Sequence, residues 1–473
     1  MRTKGFWIAV CLLICCAGCG RKEQEGAGKT EYVTERQAKT ESELQETGEV
    51  KMPENGDITV QGNGAAGFPE NAGAELLLNG EAQKNRTPEA VVPPPGKDKT
   101  VQELGEDKTA QKSGENRPVQ ESGQLDVSQW LDKLTLEEKV AQMFIVLPES
   151  FMGVGEVTAA GDTTRSMLRQ FPVGGFIYME PNLISAGQIK EMLSGVQAIS
   201  MERIGLPALC CVDEEGGTVA RIGGRGIVDA PYVGNMSEIG ASGDSAQAYQ
   251  AGVTIGSYLS ELGFNVDFAP VADVLSNPAN TVVRERSFGS DPELVSEMVL
   301  SELEGLETMK VCGTLKHFPG HGATEGDTHA GYAYTSKPLE ELRQCELLPF
   351  QRGIDAGVKI IMVGHISVPG VTGEDTPASL SRTMITEILR NQMGYDGLVV
   401  TDAMNMGAIS QMYSSAEAAV RTVQAGADLI LMPADFQSAY YGVLDAVASG
   451  TVSEERINES VERILKLKLD MIK

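Results

Sequence analysis

Short apolar runs recur along the chain from about residue 144 onwards, and longer segments with helical spacing of apolar positions separate them. The eight runs that we predict as β-strands are residues 144–147, 175–178, 208–212, 266–268, 312–315, 360–363, 398–400 and 429–431. Strands that alternate with helices are typical of βα units around a parallel sheet. Because there are eight such units, the pattern predicts an α/β protein with a TIM-like (β/α)8 barrel.

Both ends of this folded domain have patterns of their own. Residues 128–134 have helical spacing, and Thr135 with Glu138 three positions later predicts a capping box at the start of the next helix. Residues 453–469 predict a closing amphipathic helix whose first residue is the N-cap. Its inward-facing positions are Ile457, Val461, Ile464, Leu465 and Leu467. We assign residues 125–473 to one barrel and expect no further domain behind the last helix.

The first part of the chain has the pattern of a targeting signal. A basic start precedes an apolar run at residues 6–16 that is too short to span a bilayer as a helix. The run ends in CAGC at residues 16–19, where small residues precede a cysteine, although the leucine that is usual at position 16 is absent. The pattern resembles a bacterial lipoprotein signal, which implies a signal peptide at residues 1–18 and a lipid on Cys19. An ordinary secretory signal is the alternative.

Residues 19–124 lack the apolar pattern of a folded segment. They are rich in Glu, Gln, Gly, Lys, Asn and Pro and contain few aromatic residues. Such a composition cannot bury enough apolar area to offset the conformational entropy that folding removes. We predict a disordered linker here, which tethers the barrel to a lipid at the outer face of the cell membrane.

The net charge of the chain is −27. Nucleic acids and anionic membrane surfaces both require a basic partner, so we expect no nucleic acid and contact with a membrane only through the lipid. Four of the eight cysteines lie in the targeting segment. The other four have no CxxC spacing, and we expect buried free thiols at Cys210, Cys211, Cys312 and Cys345.

Ionisable residues directly follow four of the eight predicted strands. They are Asp213, Glu214 and Glu215 after the third strand, Lys316 and His317 after the fifth, His365 after the sixth, and Asp402 after the seventh. Functional groups of a barrel gather at the C-terminal ends of its strands. A carboxylate such as Asp402 at the end of a buried strand is unfavourable unless it is paired, hydrogen-bonded or functional. We therefore expect a functional site here, with a helix cap as the alternative for Asp402.

Three of the four histidines lie in one segment, KHFPGHGATEGDTH, at residues 316–329. His317 and His321 are four residues apart, but the Pro-Gly pair between them interrupts the helix that an HxxxH zinc site requires. We therefore expect no metal or cofactor, and for His321 a structural role in the loop. Asp327 and His329 are close enough in sequence for the carboxylate to orient the imidazole, which indicates an acid–base pair. Chance histidines in a loop are the alternative.

Several segments together resemble glycoside hydrolase family 3, and in particular its single-domain β-N-acetylglucosaminidases (the NagZ type). The segments are VDEEGGTVAR at 212–221, NVDFAPVAD at 265–273, RSFG at 286–289, the histidine-rich run at 316–329, TPASLS at 376–381 and LVVTDAMNM at 398–406. They follow the order of the family and cover nearly all of the predicted barrel. The KHFPGHG run followed by Asp-x-His is the most specific of them.

The resemblance implies a role for each matching position. Asp402 corresponds to the nucleophile, and His329 to the acid/base that replaces the second carboxylate of ordinary retaining enzymes, with Asp327 as its partner. The resemblance also implies hydrogen bonds to the sugar from five side chains, namely Asp213, Arg221, Arg286, Lys316 and His317. Glu214 stands where glutamine is more usual, and Thr328 where serine is more usual. These two departures put the fine specificity in doubt more than the chemistry.

Two-domain members of the family, such as β-glucosidases, take their acid/base from a second domain behind the barrel. Because we expect no such domain, the loop with Asp327 and His329 is the candidate source of the proton. The sequence therefore predicts a monomeric, retaining exo-β-N-acetylglucosaminidase that acts on small glycans such as peptidoglycan fragments or chitooligosaccharides. A phosphorylase or a β-glucosidase of the same family is an alternative. A substrate-binding lipoprotein is another, but it requires two lobes and has no use for an acid–base pair.

Overall fold

The computed structural model describes residues 126–324 and 333–472, and these residues form an α/β barrel. The strands within these ranges are β1 Phe144–Val146, β2 Gly175–Ile177, β3 Leu209–Val212, β4 Val266–Asp267, β5 Thr314–Phe318, β6 Ala333–Tyr334, β7 Ile360–Val363, β8 Ile366–Ser367, β9 Leu398–Thr401 and β10 Ile430–Leu431. All pairings between them are parallel.

Eight of these strands close into a ring. One run of neighbours is β10–β1–β2–β3–β4 and the other is β5–β7–β9. Isolated parallel bridges join the two runs at both seams, between Val266 and Cys312 and between Val400 and Leu429. The eight ring strands coincide with the eight runs predicted from the sequence, so the predicted (β/α)8 fold is confirmed. The other two strands, β6 and β8, form a separate pair.

Strand β5 differs from its predicted extent. The sequence prediction ended this strand at Leu315, whereas the structure continues it to Phe318 with every residue buried. Lys316 and His317 therefore lie within the strand and not behind it. A buried strand can include a lysine and a histidine when carboxylates compensate them, and both side chains have such partners in the site described below.

Helices enclose the ring. They are α1 Val127–Lys133, α2 Leu136–Gln142, α3 Pro148–Met152, α4 Asp162–Gln170, α5 Ala186–Ile204, α6 Met236–Ser242, α7 Ser245–Leu262, α8 Pro292–Thr308, α9 Leu339–Gln344, α10 Leu348–Asp355, α11 Pro369–Thr372, α12 Gly407–Ser410, α13 Ser415–Ala425, α14 Phe436–Ala448 and α15 Glu454–Asp470. Shorter turns are the 3-10 helices Glu180–Asn182, His321–Ala323 and Ala378–Leu380, and Thr383–Gln392 is a π-helix. Within the described ranges, no helix combines the length and the apolar character that a membrane span requires.

The predicted helix ends are confirmed. The Thr135 hydroxyl accepts the Glu138 N–H at 3.3 Å, and the Glu138 carboxylate accepts the Thr135 N–H at 3.2 Å. In α15, Ser453 is the N-cap, and its hydroxyl accepts the Arg456 N–H at 3.2 Å. The five positions predicted to face inward on this helix are all buried.

Helix α15 also closes the N-terminal end of the barrel with a buried amine. Lys468 Nζ donates to Gln142 Oε1 at 2.8 Å and to the Gly174 carbonyl at 2.7 Å. Burial disfavours its charge and lowers the pKa of Lys468 to about 7. Nearby, Asp428 accepts the Val399 N–H and the Ser460 hydroxyl, so α15 is tied to β9 as well.

The four predicted thiols are free cysteines. Cys210, Cys211 and Cys312 are buried, as expected, whereas Cys345 is half-buried. Burial raises the pKa of both the Cys210 and the Cys312 thiol to about 12. These groups are therefore packing residues at neutral pH.

Candidate active site

A cavity of about 280 Å³ opens at the C-terminal ends of the barrel strands. Six of the eight residues to which the family resemblance assigns a role line it, namely Asp213, Arg221, Arg286, Lys316, His317 and Asp402. Apolar side chains from β2, β7 and β10 complete the wall. The cavity is slightly smaller than the roughly 300–1,000 Å³ of typical ligand sites, which suits a single small ring.

A network of ion pairs forms one part of this wall. Lys316 Nζ lies 2.8 Å from Asp213 Oδ1 and 2.5 Å from Glu215 Oε1. Arg286 binds Glu215 in a bidentate manner, with Nε and Nη2 each 2.7 Å from a carboxylate oxygen. Burial alone would raise the pKa of Glu215, but Arg286 and Lys316 outweigh it and hold that pKa far below its usual value. The network is therefore fully charged at neutral pH.

A second carboxylate orients His317. Asp273 is fully buried, and its Oδ2 lies 2.7 Å from His317 Nδ1. Its Oδ1 accepts the backbone N–H groups of His317 and His321, at 3.2 and 2.6 Å. Because an ionised carboxylate only accepts, His317 Nδ1 carries a proton. His317 Nε2 then lies 3.3 Å from Arg286 Nη2, at the cavity.

Asn280 connects the loop that carries Arg286 to the loop behind β5. Its side-chain oxygen accepts the N–H groups of Val282 and Val283, at 2.9 and 3.1 Å. Its amide donates to the His321 carbonyl at 2.9 Å. Arg286 therefore stands on a turn that is fixed by a local side-chain hydrogen bond and anchored to the neighbouring loop.

Asp402 follows β9 directly and is only partly buried. Its backbone N–H donates to the Val363 carbonyl at 2.9 Å, which continues the pairing with β7. Burial opposes ionisation, but His317 and His365 outweigh it and lower the pKa of Asp402 below its usual value. The next helix, α12, has Met406 as its N-cap. The helix-cap interpretation of Asp402 is therefore wrong, and an ionised carboxylate faces the cavity.

His365, at the end of β7, supports the segment behind Asp402. It is fully buried, with Nε2 2.9 Å from the Ala403 carbonyl and Nδ1 2.7 Å from Ser379 Oγ. Since a carbonyl can only accept, Nε2 carries a proton. His365 does not line the cavity. Its place in the site is to hold the backbone that positions Asp402.

His321 has the structural contacts expected from the sequence and also lines the cavity. Its N–H donates to Asp273, and its Nδ1 lies 3.0 Å from Thr324 Oγ1. Burial lowers the pKa of His321. Within the two described ranges, no cluster of three or more histidine, cysteine or acidic side chains has the geometry to hold a metal ion.

Asp327, Thr328 and His329 lie outside the described residues, as do Cys19 and the predicted signal and linker. Their roles stay predictions from the sequence. Two site residues were not assigned by the sequence analysis. Glu215 was noted behind the third strand without a role, and Asp273 was seen only as part of a matching segment. Their spacing behind β3 and β4 was the available signal, but their partners are distant in sequence.

The mouth of this (β/α)8 barrel carries an ionised carboxylate beside paired cations and carboxylates that can bond hydroxyl groups, and this arrangement suits a carbohydrate substrate. A sequence profile of the glycosyl hydrolase family 3 N-terminal domain matches residues 135–467. The chain therefore belongs to glycosyl hydrolase family 3.

Proteins of known name are similar to this chain over most of the described barrel. Beta-hexosaminidase A of Pseudoalteromonas piscicida is 35% identical over 327 residues, which cover 64% of this chain but only 54% of that protein. Beta-hexosaminidase LpqI of Mycobacterium tuberculosis is 33% identical over 357 residues, which cover 71% of this chain and 83% of that protein. The structure of a family 3 beta-N-acetylglucosaminidase from Paenibacillus sp. str. FPU-7 is similar with a TM-score of 0.67 and 40% identity, over 72% of this chain and 63% of that one.

Proposed function

We propose that this protein is a retaining exo-β-N-acetylglucosaminidase that releases terminal β-linked N-acetylglucosamine from small glycans. The observation that carries the proposal is the presence, in one small cavity, of the ionised Asp402 and of the charged network around Lys316. The names of the three relatives described above support the choice of the sugar. Peptidoglycan fragments and chitooligosaccharides are examples of natural glycans that carry such an end.

In the first step Asp402 attacks the anomeric carbon of the terminal sugar. The bond to the leaving oxygen breaks, His329 gives that oxygen a proton, and a covalent glycosyl ester of Asp402 forms. In the second step the neutral His329 takes a proton from water, the water oxygen attacks the anomeric carbon, and Asp402 leaves as a carboxylate. Two inversions at the same carbon give net retention.

The charged network supplies the hydrogen bonds that hold the sugar. Lys316, Arg286 and Arg221 donate, whereas Asp213 accepts, so adjacent hydroxyl groups of one ring find alternating partners. The compensating pairs keep both cations and carboxylates charged without a ligand. The paired side chains are therefore preorganised, and binding does not have to order them.

The test is hydrolysis of 4-nitrophenyl β-N-acetylglucosaminide, with the first product followed by proton NMR. We expect release of the β-anomer and a much lower rate on the matching β-glucoside. Initial formation of the α-anomer would contradict retention. Phosphate-dependent formation of a sugar 1-phosphate would favour the phosphorylase, faster cleavage of the β-glucoside would favour a β-glucosidase, and binding without turnover a substrate-binding protein.

We further propose that the chain is a monomeric lipoprotein, anchored through Cys19 at the outer face of the cell membrane with residues 19–124 as a linker. The sequence pattern of residues 1–18 supports this location. Expression of the wild type and of Cys19→Ala in a bacterium, followed by membrane fractionation, tests it. We expect the wild type in the detergent-soluble membrane fraction and loss of this association in the variant. An unchanged distribution would overturn the anchor.

A further inference from the structure

Glu214 lies directly next to Asp213 but on the other side of the barrel wall. Successive side chains along a strand point to opposite faces, so Asp213 faces the cavity and Glu214 faces the helix layer. Glu214 is fully buried there, beneath helix α7, where the Tyr258 hydroxyl donates to its Oε1 at 2.8 Å. A carboxylate in such a place is unfavourable unless hydrogen bonds compensate it.

The compensation comes from three consecutive backbone N–H groups. Glu214 Oε2 accepts from Arg221 at 2.6 Å and from Ile222 at 3.0 Å, and Oε1 accepts from Gly223 at 2.7 Å. With Tyr258, the carboxylate has four donors, which matches its four lone-pair sites. Because a carboxylate has no hydrogen to donate, it can gather several N–H groups at one point in a way that an amide cannot.

Gly223 has no side chain, and this permits the contact with Glu214. A Cβ at this position would lie 2.9 Å from Glu214 Oε1 and 3.0 Å from the Tyr258 hydroxyl. A larger residue would therefore push the loop away from the carboxylate. The absence of a side chain at Gly223 lets the backbone approach closely.

The first residue of this trio is one that lines the cavity. Arg221 Nε is buried, and within the part of the chain that the structure describes it has no hydrogen-bond partner. No carboxylate of the described residues forms a salt bridge with its guanidinium. The position of Arg221 is therefore set by its backbone, and its backbone is set by Glu214.

We propose that Glu214 is a positioning residue for sugar binding, which acts by fixing the backbone at Arg221 so that the guanidinium of Arg221 meets the substrate. The proposal rests on the proposed function, because it assigns Arg221 to the same sugar site. It also gives a physical role to the position at which this chain departs from the glutamine that is more usual in the family. The glutamate adds acceptor capacity for the loop.

Glu302 on α8 provides a matched control. It is also a fully buried glutamate of the helix layer, but neither of its oxygens has a partner among the described residues. Burial raises the pKa of Glu302 to about 8, so it is largely neutral at pH 7. It makes no hydrogen bond to the loop at residues 221–223. The same substitution at the two positions separates loop positioning from the general effect of removing a buried acid.

The test is a kinetic double-mutant cycle on 4-nitrophenyl β-N-acetylglucosaminide, with Glu214→Met, Arg221→Ala, the double variant and Glu302→Met. We expect Glu214→Met to raise KM about tenfold or more with less than about threefold change in kcat, as for loss of uniform binding. In the Arg221→Ala background, the same substitution should change KM less than about twofold. Glu302→Met should keep the wild-type KM. Glu214→Gln, which retains one acceptor oxygen, should lie between wild type and Glu214→Met.

The proposal would be overturned if Glu214→Met raised KM by the same factor in the wild type and in the Arg221→Ala variant. It would also be overturned if Glu302→Met raised KM as much as Glu214→Met does. If Glu214→Met does not fold, the same cycle is measured with Glu214→Gln, and additive effects there overturn the proposal equally. A folded wild type that does not cleave the glycoside overturns the proposed function and this inference together. If the wild type cleaves the glycoside but the effects of the Glu214 and Arg221 substitutions on KM are additive, only the inference about Glu214 is overturned.

Discussion

Asp402 unites two properties that oppose each other in most side chains, since it is largely shielded from water and yet has a lowered pKa. His317 and His365 make this possible, and each is itself held by a hydrogen bond from behind, to Asp273 and to the Ala403 carbonyl. The proposed nucleophile is therefore kept ionised by groups that are fixed before the sugar arrives. Such preorganised charges lose little energy to rearrangement during the reaction.

Replacement of Asp402 by asparagine should abolish turnover. We expect kcat/KM to fall about 10⁴-fold or more, because the amide cannot form the covalent intermediate. The wild type, treated with a slow fluorinated N-acetylglucosaminide, should carry the label on Asp402 in peptide mass spectrometry. An unchanged near-UV circular dichroism spectrum of the variant is the control for folding. Label on another residue would remove Asp402 from the role of nucleophile.

The predicted role of His329 has a distinctive kinetic signature. A proton donor matters most when the leaving group is a poor one. His329→Ala should therefore lower the rate of cleavage of a disaccharide about 10²–10⁴-fold. The rate of the first step on an activated aryl glycoside should fall much less. The second step should remain slow, and added azide should accelerate it because azide needs no base. Asp327→Asn should fall between the wild type and His329→Ala. Equal losses on both substrates without an azide effect would assign His329 a structural role.

Glu215 should dominate the response of the folded state to acid. Its pKa is far lower in the folded than in the unfolded protein, so its stabilising contribution is complete above the unfolded pKa of about 4.3 and declines as pH falls below that value towards the folded pKa. Glu215→Gln should lower the free energy of unfolding by about 3–5 kcal/mol at pH 7, because Arg286 and Lys316 lose their compensating charge. Denaturant titrations should show this difference shrinking between pH 4 and pH 3. A difference that is independent of pH would contradict the assignment.

At the scale of elements, the sequence was sufficient to locate a strand or the start of a helix wherever a local pattern alone determines it. Apolar runs located all eight ring strands, and serine or threonine caps located the ends of α2 and α15. The extent of β5 was not predictable in this way, because Lys316 and His317 are tolerated in the strand only through Asp213, Glu215 and Asp273. Those carboxylates follow other strands, β3 and β4. Their contribution is visible only after the chain has folded.

The same limit applied to the site. Of the eight residues assigned a role from the sequence, the six that the structure describes all line the cavity, because strand ends and family segments mark them directly. Glu215 and Asp273 were left without a role, since a compensating carboxylate has no local pattern that distinguishes it from a surface acid. The proposed role of Glu214 also had no local signal in the sequence. It depends on which way one side chain points from the end of β3.

The buried Lys468 on helix α15 should make the stability of the protein depend on pH under alkaline conditions. The folded pKa of Lys468 is about 7 and the unfolded pKa is about 10.4, so between these values the unfolded chain binds more protons and stability rises with pH. In urea titrations between pH 7 and pH 10, the free energy of unfolding of the wild type, relative to that of Lys468→Met, should rise by about 1.4 kcal/mol per pH unit. Lys466→Met, an exposed lysine of the same helix, is the control and should show no such trend. A parallel response of wild type and Lys468→Met would refute the neutral buried amine.

At the scale of the whole molecule, the first described helix is anchored at both its cap and its core side. Asp126 caps α1 in a capping box with Gln129, and Trp130 packs against Gly205 in the core. A chain that begins at residue 123 should therefore keep full activity and the wild-type midpoint of thermal unfolding. A chain that begins at residue 135 loses the indole and should be destabilised by about 3–5 kcal/mol. Measurement of both truncations by calorimetry decides this, and loss of activity in the longer one would mean that the preceding segment contributes to the fold.

The ring of strands joins the two ends of the domain, and this has a consequence for when the protein can fold. Phe144 of β1 pairs with Ile430 of β10, and Lys468 near the last residue contacts Gln142. A nascent chain that lacks its final segment therefore has two open sheet edges and no closed core. Contacts between such distant residues also form slowly. For a chain that is exported across a membrane, as proposed above, late closure is an advantage, because the chain can still be translocated unfolded until its last helix has been synthesised.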